Sequence, residues 1–252
     1  MRSGRAVSPV SHPPVEPLDQ VDDQEHPLLG MPGRDTIVTA SFAIATATLF
    51  ALMATEAGRD LIQPMDDAFL SWVTSFRTGW LTLIAKLFNL IGLTYVMAPI
   101  RVGIAAFLAI RRRWWHFVAF VSAIVVSEIL VGTLKALYDR PRAVGSLVET
   151  SSASFPSGHA VAASVTAVAA VIALLPEGPR RYRWGAVAVA FSSLMALSRA
   201  YLGAHWLSDA VAGVLLGTSI ALGTALVTHR VRERRTLRDV TPLEEQRRHH
   251  DQ

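Results

Sequence analysis

The sequence predicts an all-α, polytopic membrane protein: a bundle of six transmembrane helices with both termini on the cytoplasmic side. Three observations carry that expectation. Apolar residues make up 51% of the 252-residue chain, and the mean hydropathy is positive at +0.35. Charges are crowded into short blocks between apolar runs, several of which reach the roughly 18–20 residues needed to cross a hydrocarbon core. The blocks are almost all arginine, the only lysines being Lys86 and Lys135, and they recur on alternate connections, as cytoplasmic loops do. A formal net charge of +4 so placed points to a membrane surface and away from nucleic acid. With no cysteine, disulfides and thiolate metal sites are excluded.

Residues 1–35 are Pro-rich and polar, with acidic residues around Val21. They lack the charged stub and short apolar core of a secretory signal, and a disordered cytoplasmic tail is expected. The membrane domain is expected over 36–228. Its first span runs from Ile37 to about Ala54, rich in small residues and uncharged. Glu56 to Arg77 mixes Asp60, Asp66 and Asp67 with Leu61, Ile62, Phe69, Leu70, Trp72, Val73 and Phe76, the spacing of a short amphipathic helix on the outer, periplasmic-side surface. The second span, about Trp80 to Ile110, exceeds the length needed to cross, which implies tilt, a bend at Pro99 or protrusion. Arg111, Arg112 and Arg113 with Trp114 and Trp115 then mark a cytoplasmic end.

The third span covers about His116 to Leu137 and leads into Lys135-Ala-Leu-Tyr-Asp-Arg140-Pro-Arg142. A small-residue loop precedes the fourth span, Phe155 to Leu175. The fifth, Trp184 to Leu197, follows a basic loop at 180–183, and the sixth runs from about Trp206 to Val227. An Arg-rich cytoplasmic tail fills 229–252; a solvated tail is the default for it, contact with anionic inner-leaflet lipids the alternative. Six spans place the arginine blocks at 111–113, 180–183 and 230–238 on one side. They place three polar clusters, Lys135–Arg142, Ser157–His159 and Arg199–Asp209, together on the other.

Those clusters suggest phosphate chemistry. His205 and Asp209, four residues apart, share a helix face, so the carboxylate can fix the imidazole tautomer and leave the other nitrogen free to attack. Arg199 offers a fork of donors suited to phosphate oxygens. Ser157 is placed as an N-cap or a phosphate donor, Gly158 allows an oxygen close to the backbone, and two helix N-termini point at the site. Lys135, Arg142 and Arg199 supply fixed positive charge. Arg140 reads as a snorkelling or loop-pairing residue.

Lys135 with six residues before Arg142, then Pro156-Ser157-Gly158-His159, then Ser198-Arg199 with five residues before His205 and three before Asp209, resembles the type 2 phosphatidic acid phosphatase family. Ala143 departs from the family's proline after the second arginine. The resemblance implies a nucleophilic His205 oriented by Asp209, and a His159 that protonates the leaving group and then activates water. It also implies phosphoryl binding by Lys135, Arg142, Ser157, Gly158 and Arg199, with no metal or other cofactor. The implied substrates are membrane lipid phosphates or pyrophosphates: undecaprenyl pyrophosphate, other polyprenyl phosphates, phosphatidic acid, phosphatidylglycerol phosphate or diacylglycerol pyrophosphate. Arginine- and alanine-rich composition suggests a bacterial inner membrane, with the site facing the extracytoplasmic side. A lipid phosphotransferase and a vanadium-dependent haloperoxidase are alternatives on the same residues, and a channel or transporter is the non-enzymatic one.

Two features lie outside the motifs. Arg101 and Glu128 sit about 18 and 22 Å from the turn near Arg113 at roughly 1.5 Å per residue, and are expected to pair across neighbouring spans. Gly213 and Gly217 form a G-x-x-x-G, read first as close intramolecular packing and second as a homodimer face.

Overall fold

The structure, a computed structural model, describes residues 28–29 and 32–250, with side chains for 28–29 and 33–237. Most of the tail expected at 1–35 lies outside the described residues. Eight helices occur among those described: α1 (Pro32–Ala54), α2 (Glu56–Ser75), α3 (Gly79–Ile91), α4 (Thr94–Ile110), α5 (Trp114–Tyr138), α6 (Gly158–Leu174), α7 (Pro179–Tyr201) and α8 (Leu207–His250).

Three of these, α1, α5 and α8, are long and apolar enough to cross a membrane, and α3 with α4 makes a fourth as a broken span. By that measure alone α6 is short, at 17 residues, and α7 carries four arginines. The long second span is bent, but its 51° break lies between Ile91 and Thr94, at Gly92–Leu93 and not at Pro99. Pro99 stays inside α4, as proline does where neighbouring helices compensate its missing N–H.

α2 is the amphipathic helix the sequence anticipates. Thr55 caps it in an extended conformation, its hydroxyl accepting from Gly58 N at 3.1 Å, the usual repair for an orphan donor. Leu61 and Trp72 are exposed while Ile62 and Val73 are buried. Asp66 breaks the pattern: a carboxylate on the buried face, 1% exposed.

α6 is the central helix. Its alanines and valines allow close approach, and ten of its residues are buried. Gly213 and Gly217 of α8 pack directly on it: a Cβ on Gly213 would lie 2.7 Å from Ala160 Cβ and from the Ser157 carbonyl oxygen, and one on Gly217 would meet Ser164 and lie 2.7 Å from the Val161 carbonyl. The G-x-x-x-G is therefore an intramolecular seam. Arg101 and Glu128 pair as expected, at 2.6 Å, and Arg101 Nε also donates to Thr166 Oγ1 of α6 at 2.9 Å.

The two ends of the bundle differ in chemistry. At one end the basic segments meet: Arg235 lies 5.6 Å over the Trp115 ring, Arg34 lies 4.5 Å over Tyr182, and Arg230 donates to Thr36. α8 continues unbroken past Val227 through the Arg-rich segment to His250. At the other end the three polar clusters converge.

The seam is testable. Gly217→Ala should cost about 1–3 kcal/mol through overpacking, read as a lowered Tm in detergent. Gly223→Ala on the same helix, with nothing within 4 Å of its Cβ, should be neutral or stabilising by up to about 1 kcal/mol.

Candidate active site

α5 ends where Asp139 takes the left-handed conformation, φ 37°, a common helix stop. The chain then runs back over the bundle through Arg140 and Arg142 to Ser154. α7 ends at Tyr201, and Gly203, φ +68°, makes the tight turn that delivers His205. α8 begins immediately after Trp206. Six of the eight sequence-predicted residues, Lys135, Arg142, Gly158, His159, Arg199 and His205, line one cavity of about 350 Å³. Ser157 and Asp209 lie fully buried beside it.

His205 is 3% exposed. Its Nδ1 lies 2.7 Å from the Ser154 carbonyl, and its Nε2 lies 3.3 Å from Arg142 Nη1. A carbonyl only accepts and a guanidinium only donates, so Nδ1 carries the proton and Nε2 the lone pair. That corrects one expectation: the tautomer is fixed by a backbone carbonyl, with the Asp209 carboxylate 3.7 Å from Nδ1 as a charge behind the ring. Burial pushes the His205 pKa down to about 4, partly opposed by Asp209, so the ring is neutral at pH 7.

Asp209 is saturated with donors. Oδ1 accepts from Arg140 at 2.6 Å; Oδ2 accepts from Ser154 Oγ and, at 3.0 Å, from Trp206 N. The last contact is the carboxylate half of a capping box at the start of α8. Arg140 is buried and occupied with Asp66, Gln63, Ser208 and Asp209, and lies 5.5 Å over Trp206. It does not line the cavity. Arg142 does, held by the Ser152 carbonyl at 2.7 Å and by the Ala204 carbonyl. Of the two arginines, Arg142 is the one that lines the cavity, and burial lowers its pKa.

Lys135 Nζ donates to the Ala153 carbonyl at 2.5 Å. Arg199, 3% exposed, is steered by the Asn89 side chain of α3. Ser157 occupies the N-cap position of α6 but makes no side-chain cap bond. Its Oγ, His159 Nε2 and Arg199 Nε are all buried without a hydrogen-bond partner among the described residues. Three unpaired polar groups at one locus are costly, and an incoming set of phosphate oxygens would pair them.

Sequence reasoning missed several supports. Gly92 makes room for His159, since a Cβ there would lie 3.1 Å from the ring Cγ and nearer still to Cδ2. Asn89, Ser154 and Asp66 gave no motif signal. Beside the polar cavity lies a larger one of about 1130 Å³, which shares His159 and Arg199 and is walled by Leu87, Leu90, Leu93 and Val148.

A helical membrane bundle holding an oriented neutral histidine, a second histidine and three cations at one end defines a membrane phosphatase. Known proteins agree. Residues 116–233 match the family described as the PAP2 superfamily. Phosphatidylglycerophosphatase B of Bacillus subtilis (strain 168) is 29% identical over 177 residues, 67% of this chain and 85% of that protein. The crystal structure of a transmembrane PAP2-type phosphatidylglycerolphosphate phosphatase from Bacillus subtilis is similar at a TM-score of 0.64 and 25% identity, over 78% of this chain and 96% of that one. LpxE from Aquifex aeolicus shares the fold, at a TM-score of 0.51 and 24% identity, over 62% of this chain and 91% of that one. The segment similar to that family, 116–233, holds Lys135, Arg142, Gly158, His159, Arg199 and His205 of the cavity lining.

Two outcomes follow from the geometry. Gly92→Ala should lower kcat for phosphate release about 10–100-fold by displacing His159, with KM within about threefold. In a pH series, His205 stays neutral until the pH approaches its lowered pKa of about 4. The acid limb of kcat/KM that is independent of the substrate chosen should therefore lie below pH 5; a substrate-independent limb near 6.5 would refute the buried neutral nucleophile.

Proposed function

We propose that this protein hydrolyses membrane lipid phosphates at the outer face of a bacterial inner membrane, through a phosphohistidine on His205. One observation carries the reading: an imidazole with its lone pair on Nε2 faces a cavity lined by His159 and Arg199, whose Nε2 and Nε, like Ser157 Oγ buried beside them, have no partner among the described residues.

His205 Nε2 attacks phosphorus while the bond from phosphorus to the lipid oxygen breaks. The departing oxygen takes a proton from His159, whose charged form a phosphate dianion favours. Water then attacks the phosphoryl group and gives its proton to His159. The phosphorus–nitrogen bond breaks and inorganic phosphate leaves. Lys135, Arg142, Arg199, Ser157 and the backbone at Gly158 hold the oxygens as charge spreads over them. Gathering of the basic segments at the opposite end supports six spans, cytoplasmic termini and an outward-facing site.

The adjoining apolar-walled cavity suits an amphiphile whose phosphate occupies the polar one. Similarity to a phosphatidylglycerophosphatase favours a glycerolipid phosphate monoester such as phosphatidylglycerol phosphate as the first substrate to test. Polyprenyl pyrophosphates, undecaprenyl pyrophosphate among them, come next.

Purified full-length protein should release phosphate from a panel of these lipids with EDTA present. His205→Ala should lose at least about 10³-fold in rate, and acid-labile, base-stable phosphate should be trapped on the wild type alone. Wild-type protein inactive on every lipid, or a fully active His205→Ala, would overturn the reading.

A further inference from the structure

Asp66 lies on α2, outside the segment that matches the family, yet it is 1% exposed and both of its oxygens are engaged at the site. Oδ1 accepts from Ser208 N at 2.8 Å; Oδ2 accepts from Ser208 Oγ at 2.6 Å and from Arg140 Nη2 at 2.8 Å. Ser208 is the second residue of α8, so its N–H is one of the orphan donors of that helix, capped here by a carboxylate from another helix. Gln63, also on α2, accepts from Arg140 at 2.7 Å. The other arm of Arg140 donates to Asp209 Oδ1 at 2.6 Å.

We propose that Asp66 is a positioning residue for phosphoryl transfer at His205: from α2 it shares the Arg140 guanidinium with Asp209, so that Asp209 keeps a net negative charge behind the imidazole. The inference rests on the phosphatase reading above. Its basis is a charge count. Two buried carboxylates share one guanidinium, which leaves one negative charge for the positive charge that develops on His205 when Nε2 bonds to phosphorus. Without Asp66, Arg140 and Asp209 cancel, and His205 would be phosphorylated against a neutral pair. Among the described residues, Lys135, Arg142 and Arg199 form no hydrogen bond or ion pair with Asp66 or Arg140.

The count makes an unusual prediction for a pair of variants. Asp66→Asn should slow phosphoenzyme formation, followed by rapid quench with a labelled lipid phosphate, about 10–100-fold. Inhibition by inorganic phosphate should stay within about twofold, because the oxygen-binding cations are untouched. Asp66→Asn/Arg140→Gln restores one net negative charge and should form the phosphoenzyme faster than Asp66→Asn alone. Asp60→Asn on the exposed face of α2 should match the wild type.

Wild-type rates in Asp66→Asn, parallel loss of phosphate inhibition, or a double variant slower than the single would each overturn the proposal. If Asp66→Asn does not accumulate folded, Ser208→Ala removes one contact from each of Asp66 and Arg140. A smaller slowing with phosphate inhibition kept then supports the proposal, and an unchanged rate overturns it. A wild-type protein that forms no phosphoenzyme defeats the phosphatase reading instead, before Asp66 is in question.

Discussion

A carboxylate with no exposed surface, Asp209, is the point on which this end of the molecule depends. A buried, unpaired carboxylate costs several kcal/mol, so the fold brings donors to it from every nearby segment. Arg140 comes from the chain after α5, Ser154 from the loop before α6, and Trp206 N from the turn before α8. The Asp209 backbone carbonyl meanwhile accepts from Ser157 N at 3.0 Å. Satisfying one charge thus draws together the three remote stretches that carry the chemistry. The carbonyl of the same Ser154 receives His205 Nδ1, so the residue that pairs Asp209 through its hydroxyl orients the His205 imidazole through its backbone.

The distribution of satisfied and unsatisfied groups separates support from chemistry. Arg140 and Asp66 spend their hydrogen-bonding capacity inside the protein, and neither lines the cavity. Arg142 and Lys135 are only tethered, by backbone carbonyls, so that both line the cavity with charge to spare. Ser157 Oγ, His159 Nε2 and Arg199 Nε go further and have no partner among the described residues. A folded chain tolerates such orphans where something else completes them. Rigid donors held ready in this way stabilise charge that develops during reaction at little reorganisation cost.

Much of this was legible in the sequence, because helices and motifs write themselves at fixed spacing. The G-x-x-x-G and the depth match of Arg101 with Glu128 rest on helical geometry, and both contacts are present; the His205–Asp209 interval brings the two groups to 3.7 Å, while the imidazole hydrogen bond goes to the Ser154 carbonyl. What was not legible depends on contacts between distant backbones. No periodicity announces that Ser154 will offer its carbonyl to His205, or that Gly92 must lack a side chain because His159 packs against it. The length of the second span leaves tilt, a bend at Pro99 or protrusion open; the break lies at Gly92–Leu93, where Gly92 packs against His159. Asp66 was hidden differently: beside Asp60 and Asp67 it reads as one more polar residue of an amphipathic helix, and only the fold shows that it faces inward.

Hydropathy by itself sees at most four spans among the described residues, and two of the helices it passes over, α6 and α7, carry Gly158, His159 and Arg199 of the cavity lining. α6 escapes because it is short, but it is sheathed by its neighbours and need not present a lipid-facing surface of full length. α7 escapes because of its arginines. Yet Arg180, Arg181 and Arg183 lie in its first turns and Arg199 in its last, and the sixteen residues from Arg183 to Arg199 advance about 24 Å at roughly 1.5 Å per residue. That is close to a hydrocarbon core of about 30 Å, once long side chains reach outward. The charges that spoil the hydropathy of α7 are therefore spaced as the two ends of a span would require, which supports the six-span arrangement. At the far end the same physical demand does a second service. Arg199, at the C-terminal end of α7, is held by Asn89, with its Nε unpaired among the described residues beside the cavity.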